Sequence, residues 1–201
     1  MGPSLLPGRV RPMLASSVSH PFDSDRHLFE PKWDGYRCLA FLRGGQAILQ
    51  SRNLRDITLE FPQLADLARF FAVGEAVVDG EITAWEGGRP SFSALQGRRG
   101  QVTYVVFDML ARAGEALLDR PLEERRRCLE EALVYPDGHE PGAAPTARPL
   151  VILSPAIPTQ GRELFAAAAR LGLEGVMAKE VGSPYLPGQR SRYWLKVKVR
   201  R

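Results

Sequence analysis

The stretch FEPKWDGYRC, residues 29–38, places a lysine between a proline and a tryptophan, directly before an Asp-Gly pair. Asp-Gly is a common hairpin signal, so one interpretation is an ordinary lysine near a turn between two strands. The other interpretation is chemical: Trp33 partly desolvates Lys32, and the nearby cation of Arg37 also favours a neutral, nucleophilic amine. The stretch by itself leaves both interpretations open.

The surrounding pattern predicts an α+β fold. Runs rich in β-branched and aromatic residues alternate with three helical patterns, and no Pro/Gly-rich linker divides the chain into two domains. The predicted strands are residues 37–43, 47–52, 76–85, 102–110, 150–157, 175–181 and 193–199. The predicted helices are residues 60–71, 121–133 and 161–172, the last ending at Gly172.

Composition and charge exclude some classes of protein. The chain of 201 residues is 44% hydrophobic and 25% charged, which suits a globular protein with a substantial core and excludes a disordered one. No apolar run is long enough to span a bilayer or to serve as a secretory signal, so we expect a cytoplasmic protein without a membrane partner. The two cysteines suggest neither a disulfide framework nor a zinc site.

The net charge of +4 is concentrated at the end of the chain. Residues 188–201 contain six basic residues and no acid, whereas the remainder is slightly acidic, with 21 basic against 23 acidic residues. A basic stripe of this kind indicates a polyanionic partner, although a strand edge protected by lysine and arginine has the same pattern.

Several further stretches contain candidate functional side chains. A second Asp-Gly pair precedes Glu81, an acid that faces a ligand hydroxyl or caps a turn, and Phe107 ends an apolar strand as a core residue or a stacking platform. Glu174 lies before a short strand that carries Lys179 near its other end. The pair is suited to a metal and a phosphate, or only decorates the strand.

The alternation of YWLKVKV places Lys196 and Lys198 on one face of a strand. Two lysines on one face repel each other unless an anion lies between them.

Taken in order, these stretches resemble the motif series of the covalent nucleotidyltransferases. In particular, the chain resembles the adenylation domain of ATP-dependent DNA ligases, of the bacterial and end-joining type, over nearly its whole length. The matching motifs are KWDGYR at 32–37, SRN at 51–53, VDGEI at 78–82, VVFDML at 105–110, EGVMAKE at 174–180 and WLKVK at 194–198. One such motif is weak evidence, but six in the family order are specific. The resemblance implies two antiparallel β-sheets packed with helices around a nucleotide cleft, as in ATP-grasp-like nucleotidyltransferase domains.

The resemblance also implies roles for individual residues. Lys32 would take AMP from ATP as a covalent lysyl-AMP and transfer it to the 5′-phosphate of nicked double-stranded DNA. Glu174 would hold the divalent metal, Mg²⁺ or Mn²⁺, with Asp34 assisting near the lysine. The implied nucleotide contacts are Lys196 and Lys198 on the α-phosphate, Arg37 and Arg52 along the phosphate and sugar path, Glu81 on the ribose, Phe107 on the adenine ring and Glu30 at the adenine edge.

The resemblance further implies work in DNA repair, recombination or replication, near the nucleoid, with end-joining repair proteins as partners. Full ligases continue into an oligonucleotide-binding barrel, so we expect residues 1–201 to form one adenylation domain without that barrel, and residues 1–25 to form a lead-in segment. Two alternatives stay open: an RNA ligase or guanylyltransferase with the same chemistry, and a non-catalytic nucleotide- or DNA-binding module.

Overall fold

The computed structural model describes residues 7, 9–135 and 150–199; Arg200 and Arg201 of the basic tail lie outside this part. The strands are β1 Leu14–Ser17, β2 Ser24–Pro31, β3 Tyr36–Arg43, β4 Gln46–Ser51, β5 Glu75–Glu86, β6 Arg89–Pro90, β7 Gln101–Arg112, β8 Glu115–Ala116, β9 Val151–Leu153, β10 Ile157–Thr159, β11 Gly175–Glu180 and β12 Arg190–Lys198. The helices are α1 Phe92–Gln96, α2 Leu122–Ala132 and α3 Gly161–Arg170.

Two sheets form the framework, which confirms the predicted α+β architecture. The five-stranded sheet has the order β1-β12-β11-β2-β10, and the seven-stranded sheet has the order β4-β3-β5-β7-β8, with β6 on β5 and β9 on β7. The described pairings are antiparallel except for β1 with β12 and β7 with β9. The segment expected to be a lead-in therefore contributes an edge strand, β1, to the five-stranded sheet.

The first Asp-Gly pair connects the two sheets. Strand β2 before it pairs with β11 and β10, and strand β3 after it pairs with β4 and β5, so the hairpin interpretation is wrong. A Cβ atom on Gly35 would lie 2.1 Å from the carbonyl oxygen of Ile82, so glycine is required by this close backbone approach. Lys32 lies in the crossing, where its amide donates to the carbonyl of Gly175 at 2.9 Å.

The second Asp-Gly pair also forms no turn. Asp79 and Gly80 lie in the middle of β5, where the register with β7 shifts between them. A Cβ atom on Gly80 would approach a ring carbon of Tyr104 and the carbonyl oxygen of Val105, both at 2.6 Å. The turn-capping interpretation of Glu81 is therefore wrong, and Phe107 lies within β7 and not at its end.

The helix predicted at 60–71 is replaced by short 3₁₀ turns at Thr58–Glu60, Pro62–Leu64 and Leu67–Phe70. Leu64 and Leu67 are both buried, and their spacing of three residues suits 3₁₀ geometry as well as an α-helix. The other two predicted helices are confirmed as α2 and α3, and Gly172 after α3 adopts a positive φ of 72°.

A hydrophobic cluster joins the two sheets. It contains Leu39, Val77 and Phe107 from the seven-stranded sheet together with Trp194 from β12, so the sheets are packed through a common core. Within the described residues, none of the helices has both the length and the apolar character needed to cross a lipid bilayer.

Candidate active site

A cavity of about 180 Å³ lies between the two sheets. It brings together seven of the nine residues predicted from the sequence: Glu30, Lys32, Arg37, Arg52, Glu81, Phe107 and Lys196. The other two, Glu174 and Lys198, lie beside it in contact with each other, and Glu174 also contacts Lys32. The chain therefore folds so that six separate sequence motifs meet at one place.

Lys32 is held by a carboxylate at the end of the five-stranded sheet. Its ammonium donates to one oxygen of Glu174, and Lys198 Nζ approaches the other oxygen at 2.7 Å. Burial alone would raise the pKa of Glu174, but the hydrogen bonds from Lys198 and Lys32 outweigh it and lower that pKa. The same contact with Glu174 raises the pKa of Lys198. Glu174 is thus an anion shared by Lys32 and by Lys198, one of the two lysines on the same face of β12.

Lys196 faces the cavity from β12, opposite Met177 of β11. Its pKa is lowered by burial and by the nearby cations Lys198 and Lys32. A phosphate group would relieve this repulsion, so this end of the cavity is suited to an anion.

Arg37 is fixed in the cavity wall by a buried acid. Its Nε and Nη2 atoms donate to the two carboxylate oxygens of Asp79, each at 2.6 Å, and the hydroxyl of Tyr185 donates to the same carboxylate at 2.6 Å. Burial would lower the pKa of Arg37, but Asp79 more than compensates and raises it. The guanidinium also lies 4.8 Å from the ring centroid of Phe107.

Glu81 is paired with Arg37 across strands β3 and β5. Burial raises the pKa of Glu81 to about 7, against the opposing effect of Arg37 and Lys32. An acid tuned in this way is a characteristic feature of functional sites.

The far end of the cavity contains a buried ionic cluster that the sequence predicts only in part. Lys179 Nζ donates to Glu30 Oε1 at 3.0 Å and to Oε2 at 2.9 Å, and Arg126 Nη1 donates to Oε1 at 3.2 Å. Arg126 lies on α2, in a segment that has only a helical pattern. No signal in the sequence points to it, because its partner Glu30 is 96 residues away.

Phe107 is almost fully buried and has cations over its ring. Lys179 Nζ lies 4.1 Å from the ring centroid of Phe107 and 4.5 Å from that of Trp194, and the two rings meet edge to face. The aromatic pair therefore borders both the cavity and the ionic cluster.

Trp33 anchors the loop that carries Lys32. Its indole Nε1 donates to the hydroxyl of Ser154 at 3.0 Å, and the carbonyl of Ser154 accepts from Arg126 at 2.6 Å. Trp33 thus helps to fix the loop that carries Lys32 through this hydrogen bond.

The residues present suit a magnesium ion in one binding mode only, in which a single carboxylate and the phosphates of a substrate hold the metal. Within the described ranges, no three His, Cys, Asp or Glu side chains are grouped so that they hold a metal among themselves. Mg²⁺ characteristically keeps several waters and binds through one or two carboxylates and the phosphates of a substrate. Glu174 beside the cationic end of the cavity matches this arrangement.

The known proteins that this chain resembles are DNA ligases and end-joining proteins named LigD. A family model described as the ATP dependent DNA ligase domain matches residues 12–198. The multifunctional non-homologous end joining protein LigD of Mycobacterium bovis is 37% identical over 193 residues, which are 94% of this chain and 24% of that protein. The LigD protein of Pseudomonas aeruginosa is 36% identical over 203 residues, 98% of this chain and 23% of that protein. The chain thus spans about a quarter of the length of these relatives.

Solved structures of DNA ligases also resemble this chain. The mycobacterial DNA ligase D complexed with ATP and MES superposes with a TM-score of 0.80 at 35% identity, covering 95% of this chain and 60% of that chain. The ATP-dependent DNA ligase of bacteriophage T7, solved with ATP, shares the fold at 14% identity, with a TM-score of 0.63 over 94% of this chain and 69% of that one.

Proposed function

We propose that this chain, which belongs to the ATP-dependent DNA ligase domain family, activates DNA 5′ ends for strand joining by way of a covalent lysyl-AMP intermediate. The observation that carries the proposal is the convergence of Lys32, Glu81, Phe107 and Lys196 on one cavity between the sheets. The relatives from Mycobacterium bovis and Pseudomonas aeruginosa are named end-joining proteins, so repair of broken DNA is the proposed setting.

Lys32 is the proposed nucleophile. Its neutral amine attacks the α-phosphorus of ATP, a nitrogen–phosphorus bond forms, and the bond to pyrophosphate breaks, while the proton lost by the nitrogen passes to water or to the departing pyrophosphate. Glu174 and Trp33 support this role, since the first contacts the ammonium and the second anchors the loop through Ser154.

The cationic end of the cavity is the proposed phosphate site. Lys196 and Lys198 stabilise the charge that develops on the α-phosphate, and Arg52 lies along the path to the sugar. Arg37 is proposed to act without direct contact to the phosphates, because its Nε and Nη2 atoms donate to Asp79. Arg37 instead forms part of the cavity wall and supplies a fixed positive charge.

The opposite side of the cavity is the proposed nucleoside site. Glu81 accepts hydrogen bonds from the ribose, Phe107 stacks on the base and Glu30 lies at the base edge, as the family resemblance implies. Glu174 is the carboxylate that would hold a magnesium ion, which would polarise the phosphates when bound.

Nicked double-stranded DNA is the proposed acceptor of AMP. The support is the basic strand β12, whose residues Arg190, Arg192, Lys196 and Lys198 run past the cavity. Cations of this kind bind phosphates in any sequence context, which suits an enzyme that recognises a break and not a base sequence.

The test is the intact mass of the protein after incubation with ATP and Mg²⁺. We expect a gain of one AMP that maps to Lys32 and disappears in Lys32→Ala. Lys32→Arg should be equally inactive, because a guanidinium stays protonated and cannot attack. The control is Arg127→Ala, an exposed position on α2, which should label normally.

Three kinds of result would contradict the proposal. AMP found on Lys179, Lys196 or Lys198 would remove the role of Lys32. Equal labelling by GTP would favour a capping-type guanylyltransferase, and unlabelled protein that still binds ATP would favour a non-catalytic module.

A further inference from the structure

Glu30, Lys179 and Arg126 form a buried ionic cluster at the end of the cavity where the base is proposed to bind. The cluster contains more charged groups than a single hydrogen bond to a base requires. Glu30 is 2% exposed, and Lys179 is 1% exposed. Strands β2 and β11 are paired with Glu30 opposite Met177, which places Lys179 two residues further along the same face. Arg126 reaches the same carboxylate from α2.

The contacts determine what Glu30 can do. With two cations on it, Glu30 is a carboxylate that accepts hydrogen bonds and donates none. Three of its acceptor positions are used, two on Oε1 and one on Oε2. A carboxylate has about four such positions, so Oε2 can accept one more hydrogen bond from a ligand in the cavity.

Lys179 is not free to act as a donor to the base. Its ammonium is held between the rings of Phe107 and Trp194 and donates to both oxygens of Glu30. Burial lowers the pKa of Lys179, and the attraction of Glu30 opposes that effect. The ammonium therefore fixes the position of the Glu30 carboxylate, and both residues line the cavity.

From this geometry we propose that Lys179, together with Arg126, determines base specificity by holding Glu30 as an acceptor, so that the cavity takes a purine with a 6-amino group and rejects one with a 6-oxo group. The inference rests on the proposed ATP site. A 6-amino group donates to Oε2, whereas a 6-oxo oxygen would face another acceptor and lose its own hydrogen bond with water. Both Lys179 and Arg126 are positioning residues, since they act through Glu30.

The experiment compares ATP with ITP, which differ at the 6-position of the base. Dissociation constants are measured with Mg²⁺ in a Lys32→Ala background, where no covalent step competes with binding. We expect this parent to bind ATP at least about tenfold more tightly than ITP, because the site would leave a buried 6-oxo group unpaired.

Substitutions in the cluster should reduce this ratio. Lys179→Met removes two of the three contacts that fix the carboxyl group of Glu30, so Oε2 is no longer held in place as an acceptor; we expect the ratio to fall several-fold. Arg126→Met should act in the same direction but less, because it removes one of the three contacts. Arg127→Ala, at the next and exposed position of α2, should keep the parent ratio.

A double substitution keeps the test decisive if a single one unfolds the protein. Glu30→Gln with Lys179→Met removes one charge of each sign, and Arg126 keeps its ion pair with Glu130 on α2. The amide introduced by Glu30→Gln presents a donor or an acceptor, so the ratio should approach one. Thermal unfolding is measured for every variant, since a merely structural role would lower the melting temperature and leave the ratio unchanged.

Three outcomes would overturn the inference. The ratio could stay at the parent value in Lys179→Met, or in the double variant, although both are folded. It could also rise in Lys179→Met, which would mean that the ammonium itself donates to the 6-oxo oxygen. A parent that binds neither nucleotide contradicts the proposed function, and so is distinguishable from a failure of the specificity argument alone.

Discussion

At the scale of single residues, the site depends on acids whose protonation is set by their surroundings. Glu174 and Glu81 both belong to the cavity region, yet their pKa values move in opposite directions. Two lysines donate directly to Glu174, whereas Arg37, which lies opposite Glu81, is engaged by Asp79. The same residue type thus becomes a permanent anion in one place and a titrating group in the other.

The raised pKa of Glu81 predicts a pH dependence of stability. Its pKa is about 7 in the folded protein, against 4.5 ordinarily, so between these values the native state binds more protons than the unfolded state. The free energy of unfolding should therefore decrease as pH rises from about 4.5 to about 7 and level off above that range. Glu81→Gln, which cannot titrate, should remove this component, roughly 3 kcal/mol across the range.

Urea unfolding of both proteins at several pH values between about 4.5 and about 8 checks the prediction. The control is Glu163→Gln, at an exposed position in the first turn of α3. A difference between wild type and Glu81→Gln that stays constant with pH would show that Glu81 does not titrate in this range.

At the scale of elements, strands are more predictable than their connections. The runs around Leu39, Val78 and Val106 form β3, β5 and β7 because β-branched and aromatic side chains suit a buried pleated surface. The helix prediction at 60–71 is wrong because a spacing of three fits two kinds of helix. The first Asp-Gly crosses between sheets because Gly35 allows contact with Ile82, a residue distant in sequence.

The site residues also differ in how well the local sequence predicts them. The order of the motifs is enough to predict Lys32, Glu81 and Glu174 as site residues, because each lies in a short stretch with a recognisable sequence. Arg126 and Ser154 have no such signal, since their role arises from packing of α2 and β9 against the β2 end of the other sheet. Local sequence does not encode such a meeting.

A glycine at the beginning of β11 links element geometry to the site. Gly175 adopts a φ of 152°, and a Cβ atom there would lie 2.0 Å from the carbonyl oxygen of Val197. Gly175→Ala should lower the free energy of unfolding by roughly 2–4 kcal/mol, since backbone atoms must move. It should also slow AMP labelling, because Gly175 follows Glu174 and its carbonyl accepts from Lys32.

Urea unfolding and the mass-based labelling assay measure the two effects. Gly182→Ala is the matched control, as a Cβ atom there would have open space around it. If both alanine variants unfold at the same urea concentration, the close approach at Gly175 is not limiting.

At the scale of the whole molecule, buried ion pairs and hydrogen bonds join the two sheets across the cavity. Asp79 of β5 accepts from Tyr185, which follows β11, and Arg126 binds Glu30 of β2 together with the carbonyl after β9. Breaking such a pair leaves an uncompensated charge, so each constrains the relative placement of the sheets. The cavity therefore lies between two sheets whose relative position is fixed by these contacts.

The distribution of charge over the molecule predicts how the proposed DNA substrate would bind. The basic residues of β12 would bind DNA phosphates by charge attraction that does not depend on base sequence. The affinity for a nicked duplex should therefore fall steeply as the salt concentration is raised. Arg192→Gln should weaken binding to all sequences alike and reduce the slope of log affinity against log salt by about one. The charge-matched control is Arg127→Gln, exposed on α2, which should leave the slope near that of the wild type. Equal changes in the two variants, measured by fluorescence anisotropy over a salt series, would place the DNA somewhere other than along β12.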